Sequence, residues 1–424
     1  MFKHLQIAGW RQFERIDVDL HPRLTVLTGA NGAGKTTLLN IFAQHFGWRS
    51  QYLATPKQTE KGVYEYLAGI FEKLLQAARL ASAPVEVGSI TYSNGSSAKL
   101  SLPLETGIQY DLSFNGMQGI PGLHVASHRE LPRYQRVSSI PSNVIEPEQA
   151  YESYNQVVIQ QYQGGQPQYS TTYRLKEALI SMATFGAGNK YVQEHPAALN
   201  AYTGFIDVLK KVMPPSIGFT DLSIRTPDVV LVTESGEFVL DAASGGVLTL
   251  IDLAWRIYMY SLGRQSFAVT IDEPENHLHP SMQRLLLPSF LKAFPSVQFI
   301  VATHSPFMVS AVKESNVYAL QFRDREGRAS AKEPPDPSVK RAVVSIKLDT
   351  VNKASDAARI LRDVLGVEAT VPEWVEADVA AIVAKYRDKQ LTGAALRELR
   401  DDLNKLGYSE LYPTAVTQLV PPND

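Results

Sequence analysis

Nine consecutive residues constrain this chain more than any others: Gly29-Ala30-Asn31-Gly32-Ala33-Gly34-Lys35-Thr36-Thr37. They fit the pattern G-x-x-x-x-G-K-[ST], and their flanks fit its structural context. Leu24 to Thr28 reads as a short buried strand, and Leu38 to Phe42 continues as an apolar helix. Glycines at 29, 32 and 34 remove the Cβ atoms that would hold phosphate oxygens away from the backbone. The freed N–H groups and the helix N-terminus then form an anion site. Lys35 is placed to reach the β- and γ-phosphates, and the Thr36 hydroxyl to take a Mg²⁺ position.

At 424 residues the chain exceeds one ordinary domain, so two lobes or a core with insertions is expected. Its 44% hydrophobic and 20% charged residues describe a globular chain. A formal net charge of −2 supplies no global field for nucleic acid, so such a contact needs a local basic patch. The absence of cysteine excludes disulfides, thiolate zinc sites and cysteine nucleophiles. The first residues, Met1 to Gln6, lack the apolar core of a signal peptide, and Asp252 and Arg256 interrupt the apolar run Val247 to Leu262. A cytoplasmic protein without a membrane span is expected.

Residues 2–20 alternate apolar and polar as a hairpin, with Trp10 and Arg11 at its turn. Those two are candidates for meeting an adenine ring or a phosphate, or equally a half-buried turn aromatic beside a solvated charge. Helical spacing runs from Gly62 to Ala81, and period two from 85 to 125. The latter reads as an antiparallel lobe inserted into the core. His128, Arg129, Glu130, Arg133 and Arg136 form a basic cluster, a nucleotide sensor or nucleic-acid contact if it is more than a solvated loop. Gln135 and Gln161 both qualify as a γ-phosphate-sensing glutamine. From 145 to 213 the chain is helical without a sustained heptad, which argues against a long coiled coil.

Ser244-Gly245-Gly246 opens an apolar helix, placing a hydroxyl and unencumbered N–H groups at the positive end of a dipole. The strand Phe267 to Ile271 then ends in Asp272-Glu273. Buried strands rarely end in two carboxylates unless something compensates the charge. Asp272 as a Mg²⁺ ligand and Glu273 as the base for an attacking water remove that objection. His277 and His279 lack a third metal ligand at a recognisable spacing and read as part of an interface loop. His304, at the end of the strand Val297 to Thr303, is placed to contact a γ-phosphate. The tail from Ala354 is helical.

Phosphate loop, Ser-Gly-Gly, Asp-Glu-Pro-Glu-x-x-Leu-His-Pro and Thr-His-Ser-Pro, in that order, resemble the ABC-type ATPase heads of the SMC, RecF and OLD group. They also resemble standalone ATPases of bacterial anti-phage systems such as Septu and PARIS. The signature is degenerate here, reading Ala243-Ser244-Gly245-Gly246-Val247. The resemblance implies an α/β phosphate-loop fold with a mixed central sheet, an antiparallel β lobe, a helical insertion and a C-terminal helical tail. It implies a split core at 1–48 and 216–345, an insertion at 49–215 and a tail at 346–424. ATP and Mg²⁺ are the implied cofactors, held by Gly29, Asn31, Gly32, Ala33, Gly34, Lys35, Thr36, Thr37 and Asp272. Glu273 and His304 are the implied catalytic residues. In such heads two subunits sandwich two ATP molecules, so Ser244, Gly245 and Gly246 would cap the γ-phosphate of a partner in a homodimer or higher homo-oligomer. The stretch after His304 is short for a Toprim nuclease domain, which implies a separate effector, a nuclease or toxin. A DNA-repair head that binds DNA directly is the rival reading. A transporter ATPase is disfavoured by the long stretch before Ser244, and a scaffold without turnover by the Asp-Glu pair.

Overall fold

The computed structural model describes residues 1–58, 62, 64–68, 84–103, 107–128, 134–324, 341–355, 357–365, 372–387 and 392–419. Residues Met1–Ile360 form one compact unit and Leu361–Asp424 another. The first is built on a mixed eleven-stranded sheet in the order β10-β8-β7-β1-β2-β18-β17-β3-β16-β15-β11. Its functional heart is β3 (Leu24–Gly29), β15 (Phe267–Asp272) and β16 (Val297–Ala302). Every residue of these three strands is buried. Strands covered on both faces need near-continuous apolar runs, which Phe267 to Ile271 and Val297 to Ala302 supply apart from the buried polar Thr270 and Gln298. β16 pairs in parallel with β3 and β15, and β17 (Asn316–Asp324) and β11 (Gly122–Val125) extend the parallel run on either side.

The rest of the sheet is mostly antiparallel. β1 (Phe2–Trp10) pairs with β2 (Phe13–Asp19) and with β7 (Val85–Tyr92). β8 (Ser97–Leu102) and β10 (Ser113–Asn115) follow, and β18 (Arg341–Lys347) joins β17 antiparallel and β2 in parallel. The short pairs β4 (Tyr52–Leu53) with β9 (Gln109–Tyr110), and β5 (Thr55–Gln58) with β6 (Tyr64–Leu67), stand apart. α1 (Lys35–Ala43) buries Leu38, Leu39, Ile41 and Phe42 in the same core as Trp10, Phe13 and Ile16.

Helices α2 (Pro147–Tyr162), α3 (Thr171–Gly186), α4 (Pro196–Val212) and α5 (Gly245–Ser261) form a helical layer. A three-stranded sheet, β12 (Phe219–Arg225), β13 (Asp228–Thr233) and β14 (Gly236–Val239), packs on α3 and α4. Trp255 of α5 sits edge-on to Phe205 of α4 with ring centres 5.0 Å apart, both fully buried. α6 (Pro280–Ala293) and the short α7 (Pro306–Val309) flank β16 in sequence. In the second unit α8 (Glu373–Ala384), α9 (Gly393–Lys405) and α10 (Tyr412–Leu419) share a core of Val375, Val379, Ile382, Leu399, Leu403 and Ala415. Among the described residues no helix is long and apolar enough to cross a membrane.

Several sequence expectations need correction. Within the expected insertion at 49–215, β7, β8 and β10 continue the main sheet through β1, and β11 lies at its other end beside β15. Residues 346 and 347 belong to β18 of the core rather than to a tail, and the compact units divide after Ile360. Where helical spacing was expected from Gly62, Tyr64–Leu67 is a strand. Tyr64 and Tyr66 favour extended backbone, and cross-strand pairing with β5 overrides the helical period. Residues 63 and 69–81 lie outside the described residues. Trp10 is 1% exposed, and its indole N–H donates to Tyr110 Oη at 3.1 Å, so it is a core residue and meets no ligand.

Candidate functional site

The phosphate loop leaves β3 through Gly29 at φ +140°. A Cβ there would fall 2.4 Å from the Leu320 carbonyl oxygen on β17, so only glycine lets these strands pair to their ends. Gly34, at φ +95°, is the N-cap of α1, and a Cβ would strike the Phe13 ring at 2.4 Å. Gln12 Nε2, from the β1–β2 turn, donates to the Gly32 carbonyl at 3.1 Å and braces the loop from outside. Ala33 is buried, Asn31 and Thr36 are exposed, and Thr37 is half-buried.

Lys35 is 5% exposed, and its ammonium donates to the Gly29 and Ala30 carbonyls at 2.9 and 3.1 Å. It also lies 3.4 Å from His304 Nδ1. Burial lowers the Lys35 pKa, and Glu273, Asp272 and Glu275 oppose that shift. Thr36 Oγ1 donates to Asp272 Oδ2 at 2.7 Å. Asp272 is 1% exposed, and its Oδ1 is buried with no hydrogen-bond partner. Burial pushes its carboxyl up to about 6, with Glu273 adding to the shift and Thr36 and Lys35 resisting it. A threonine hydroxyl beside an under-satisfied carboxylate is the hard-oxygen donor set that Mg²⁺ takes, so these residues fit that ion.

Glu273 sits at φ +47° with its N–H on the Ala302 carbonyl at 2.9 Å. A left-handed glutamate is uncommon, and such backbone clusters where side chains must be aimed. Its Oε1 is 3.4 Å from His304 Nε2, and its Oε2 accepts from Asn276 Nδ2 at 3.3 Å. The Lys35 ammonium can only donate, which makes His304 Nδ1 the acceptor and leaves the imidazole proton on Nε2, toward Glu273. Burial and then Lys35 lower the His304 pKa, so a neutral imidazole is the resting form near pH 7. Lys35, Thr36, Asp272, Glu273 and His304 thus converge from the ends of β3, β15 and β16 on one crevice.

Two partners of this cluster, expected only as part of the interface loop 275–280, touch it directly. Glu275 Oε1 accepts from Thr303 Oγ1 at 2.7 Å and from the His304 N–H at 2.6 Å, fixing the strand end that carries the histidine. Asn276 Nδ2 bridges Glu273 to the Ser127 carbonyl at 3.1 Å, just past β11. The second glutamate of Asp-Glu-Pro-Glu was the only available signal for the first. The second was illegible, because the β11–β15 pairing joins distant stretches.

Ser244-Gly245-Gly246 does not join the cluster within this chain. Ser244 Oγ accepts from the Val247 N–H at 3.4 Å as the cap of α5. A Cβ on Gly246 would lie 3.0 Å from the His277 carbonyl and 3.3 Å from Met282 Sδ, so this terminus packs on the 277–282 loop. His279 caps α6 by accepting from the Ser281 N–H. Gln135 is also engaged: its Oε1 accepts from the Ser170 N–H at 2.7 Å and its Nε2 donates to the Gln168 carbonyl at 3.1 Å. His128 and Arg136 are exposed, and Arg129, Glu130 and Arg133 lie outside the described residues.

Sheet order, phosphate loop and Asp-Glu strand together define an α/β phosphate-loop fold of the ABC-ATPase type, resembling the SMC/RecF/OLD-like heads and the standalone ATPases of anti-phage defence. Residues 223–310 match a family model described as "AAA domain, putative AbiEii toxin, Type IV TA system", and residues 4–87 one described as "AAA domain". The chain is similar to the Retron Ec83 probable ATPase of Escherichia coli, 31% identical over 115 residues, 24% of this chain and 21% of that one. It is similar to the Septu protein PtuA of Bacillus thuringiensis, 26% identical over 178 residues, 39% of this chain and 42% of that one. The chain therefore matches about a fifth of the retron relative and under half of the Septu protein. Among solved structures, the SMC head domain from Thermotoga maritima overlays 82% of this chain and 99% of its own, at 11% identity and a TM-score of 0.42.

Proposed function

We propose that this chain binds ATP with Mg²⁺, closes as a homodimer around two ATP molecules, hydrolyses them, and thereby switches a separate effector, a nuclease or toxin, in anti-phage defence. The convergence of Lys35, Thr36, Asp272, Glu273 and His304 carries this reading. Lys35 would turn from the Gly29 and Ala30 carbonyls to the β- and γ-phosphates, joined by the loop N–H groups from Gly29 through Thr37. Thr36 and Asp272 would hold Mg²⁺, which supplies charge neutralisation along the phosphates. Glu273 accepts a proton from water as the water oxygen bonds to the γ-phosphorus and the bond to the ADP oxygen breaks. His304 donates through Nε2, first to Glu273 and then to a γ-phosphate oxygen. Ser244, Gly245 and Gly246 of the partner subunit present a helix N-terminus to the same phosphate.

Glu273→Gln keeps the shape and removes the base. It is expected to bind MgATP, accumulate as a dimer in light scattering, and release phosphate at least about a hundredfold more slowly. Turnover at the wild-type rate would overturn the assignment of the base. Relatedness to the retron and Septu proteins supports the defence setting, and capture of a nuclease or toxin from the native host tests it.

A further inference from the structure

Lys176, on α3, is completely buried. Its ammonium donates to the Gln135 carbonyl at 2.7 Å, to Asp241 Oδ2 at 2.7 Å and to Asp228 Oδ1 at 3.5 Å. Three N–H donors thus meet three acceptors from three separate segments. Gln135 belongs to the stretch beyond β11, Asp228 opens β13, and Asp241 lies in the turn Leu240–Ala242 immediately before Ser244. Tyr134 closes the network: its ring centre is 4.9 Å from Nζ, and its hydroxyl donates to Asp228 Oδ2 at 3.3 Å. Asp241 Oδ1 is buried without a hydrogen-bond partner, so Lys176 is this carboxylate's principal compensation.

We infer that Lys176 is a positioning residue for the Ser244–Gly246 helix terminus, holding it at the place and angle at which it caps a partner subunit's γ-phosphate. The inference rests on the ATP-sandwich reading above. A buried ammonium and two carboxylates tolerate little displacement, because separating any one leaves an uncompensated charge. The apolar body of α5 is already fixed by Leu250, Leu253 and Trp255, each at most 1% exposed. The turn ahead of the helix is anchored by Leu240 and by the 277–282 loop, and its one charged side chain, Asp241, is held by the ion pair. A phosphate cap works only within a few tenths of an ångström of its ideal position. Through Gln135, whose side chain also accepts from the N–H of Ser170, the N-cap of α3, the same ammonium ties α3, the 134–135 segment and the 240–244 turn together.

The test uses the full chain carrying Glu273→Gln, with Lys176→Met and the pair Lys176→Met/Asp241→Leu added to it. Melting temperature, MgATP affinity and MgATP-driven dimerisation are measured on each. Lys176→Met is expected to bind MgATP within about threefold of its parent and to dimerise about thirtyfold more weakly. Replacing a buried ion pair with apolar residues of similar volume restores stability in many proteins. Asp228 is partly solvated and keeps the Tyr134 hydroxyl, so the double variant should recover most of the lost melting temperature without recovering dimerisation. Dimerisation of Lys176→Met at the parent's strength, or its return in the double variant along with stability, would reduce Lys176 to a fold staple and overturn the inference. A parent that fails to dimerise with MgATP at all would instead overturn the sandwich reading on which it rests.

Discussion

Asp272 shows what a single residue contributes to this site. Its carboxyl, ordinarily at 3.8, is pushed up to about 6, chiefly by burial. That shift corresponds to about 3 kcal/mol favouring the protonated form. Without metal the folded chain therefore holds a proton that the unfolded chain has released between pH 4 and 6. The stability owed to this proton is present below the ordinary carboxylate pKa and is lost as pH rises through about 6. Mg²⁺ reverses the preference, since it binds the carboxylate and expels the proton. The Mg²⁺ concentration that half-saturates ATP turnover should thus rise about tenfold per pH unit below 6 and level off above 7. Asp272→Asn should abolish that dependence along with most activity. A Mg²⁺ requirement that stays flat from pH 5 to 7.5 would remove Asp272 from the metal's coordination.

At the scale of elements, the strand ends must be held against one another, and Glu275 is the clamp. Both hydrogen bonds to its Oε1 come from the 303–304 end of β16, while Glu275 itself lies in the turn after β15. Removing the carboxylate in Glu275→Ala leaves the His304 N–H and the Thr303 hydroxyl without their acceptor, at about 1–3 kcal/mol each. The expected outcome is kcat lowered about 10- to 100-fold with ATP affinity nearly unchanged, because Lys35 and the loop lie on other elements. Equal losses of binding and turnover would show that Glu275 supports the whole crevice instead. The elements themselves differ in legibility. β3, β15 and β16 are local apolar runs ending in polar residues, so the strands and the candidate residues at their ends could be read directly. The β7–β8 hairpin is local and legible around its Ser93–Ser96 turn, but its place beside β1 and that of β11 beside β15 were not, because pairing across long separations decides them and a period-two pattern is silent about partners. Tyr64–Leu67 misled for a related reason: its apolar spacing also fits a helix, and only pairing with β5 settles it. Glu273's left-handed backbone and the Lys176 network leave no local sequence signature at all.

For the molecule as a whole, the sheet places every strand end of the candidate site within one unit. The crevice is assembled from β3, β15, β16 and α1, and β17 and β18 complete the strand order between β3 and β2. All of these end by Lys347, within the Met1–Ile360 unit. The second unit has its own apolar core, from Val375 to Ala415, and among the described residues contributes no strand to that sheet. A core of three short helices is small for independent stability, whereas the larger unit buries its central strands on both faces. A chain ended after Leu365 should therefore melt within about 5 °C of the full chain and bind MgATP with the same affinity. Glu273→Gln in that shortened chain should still bind ATP while releasing no phosphate above background. Loss of ATP binding on shortening, with the circular-dichroism spectrum of the larger unit intact, would mean that the helices beyond Leu365 complete the nucleotide site. The self-contained crevice described by the sheet order would then be wrong.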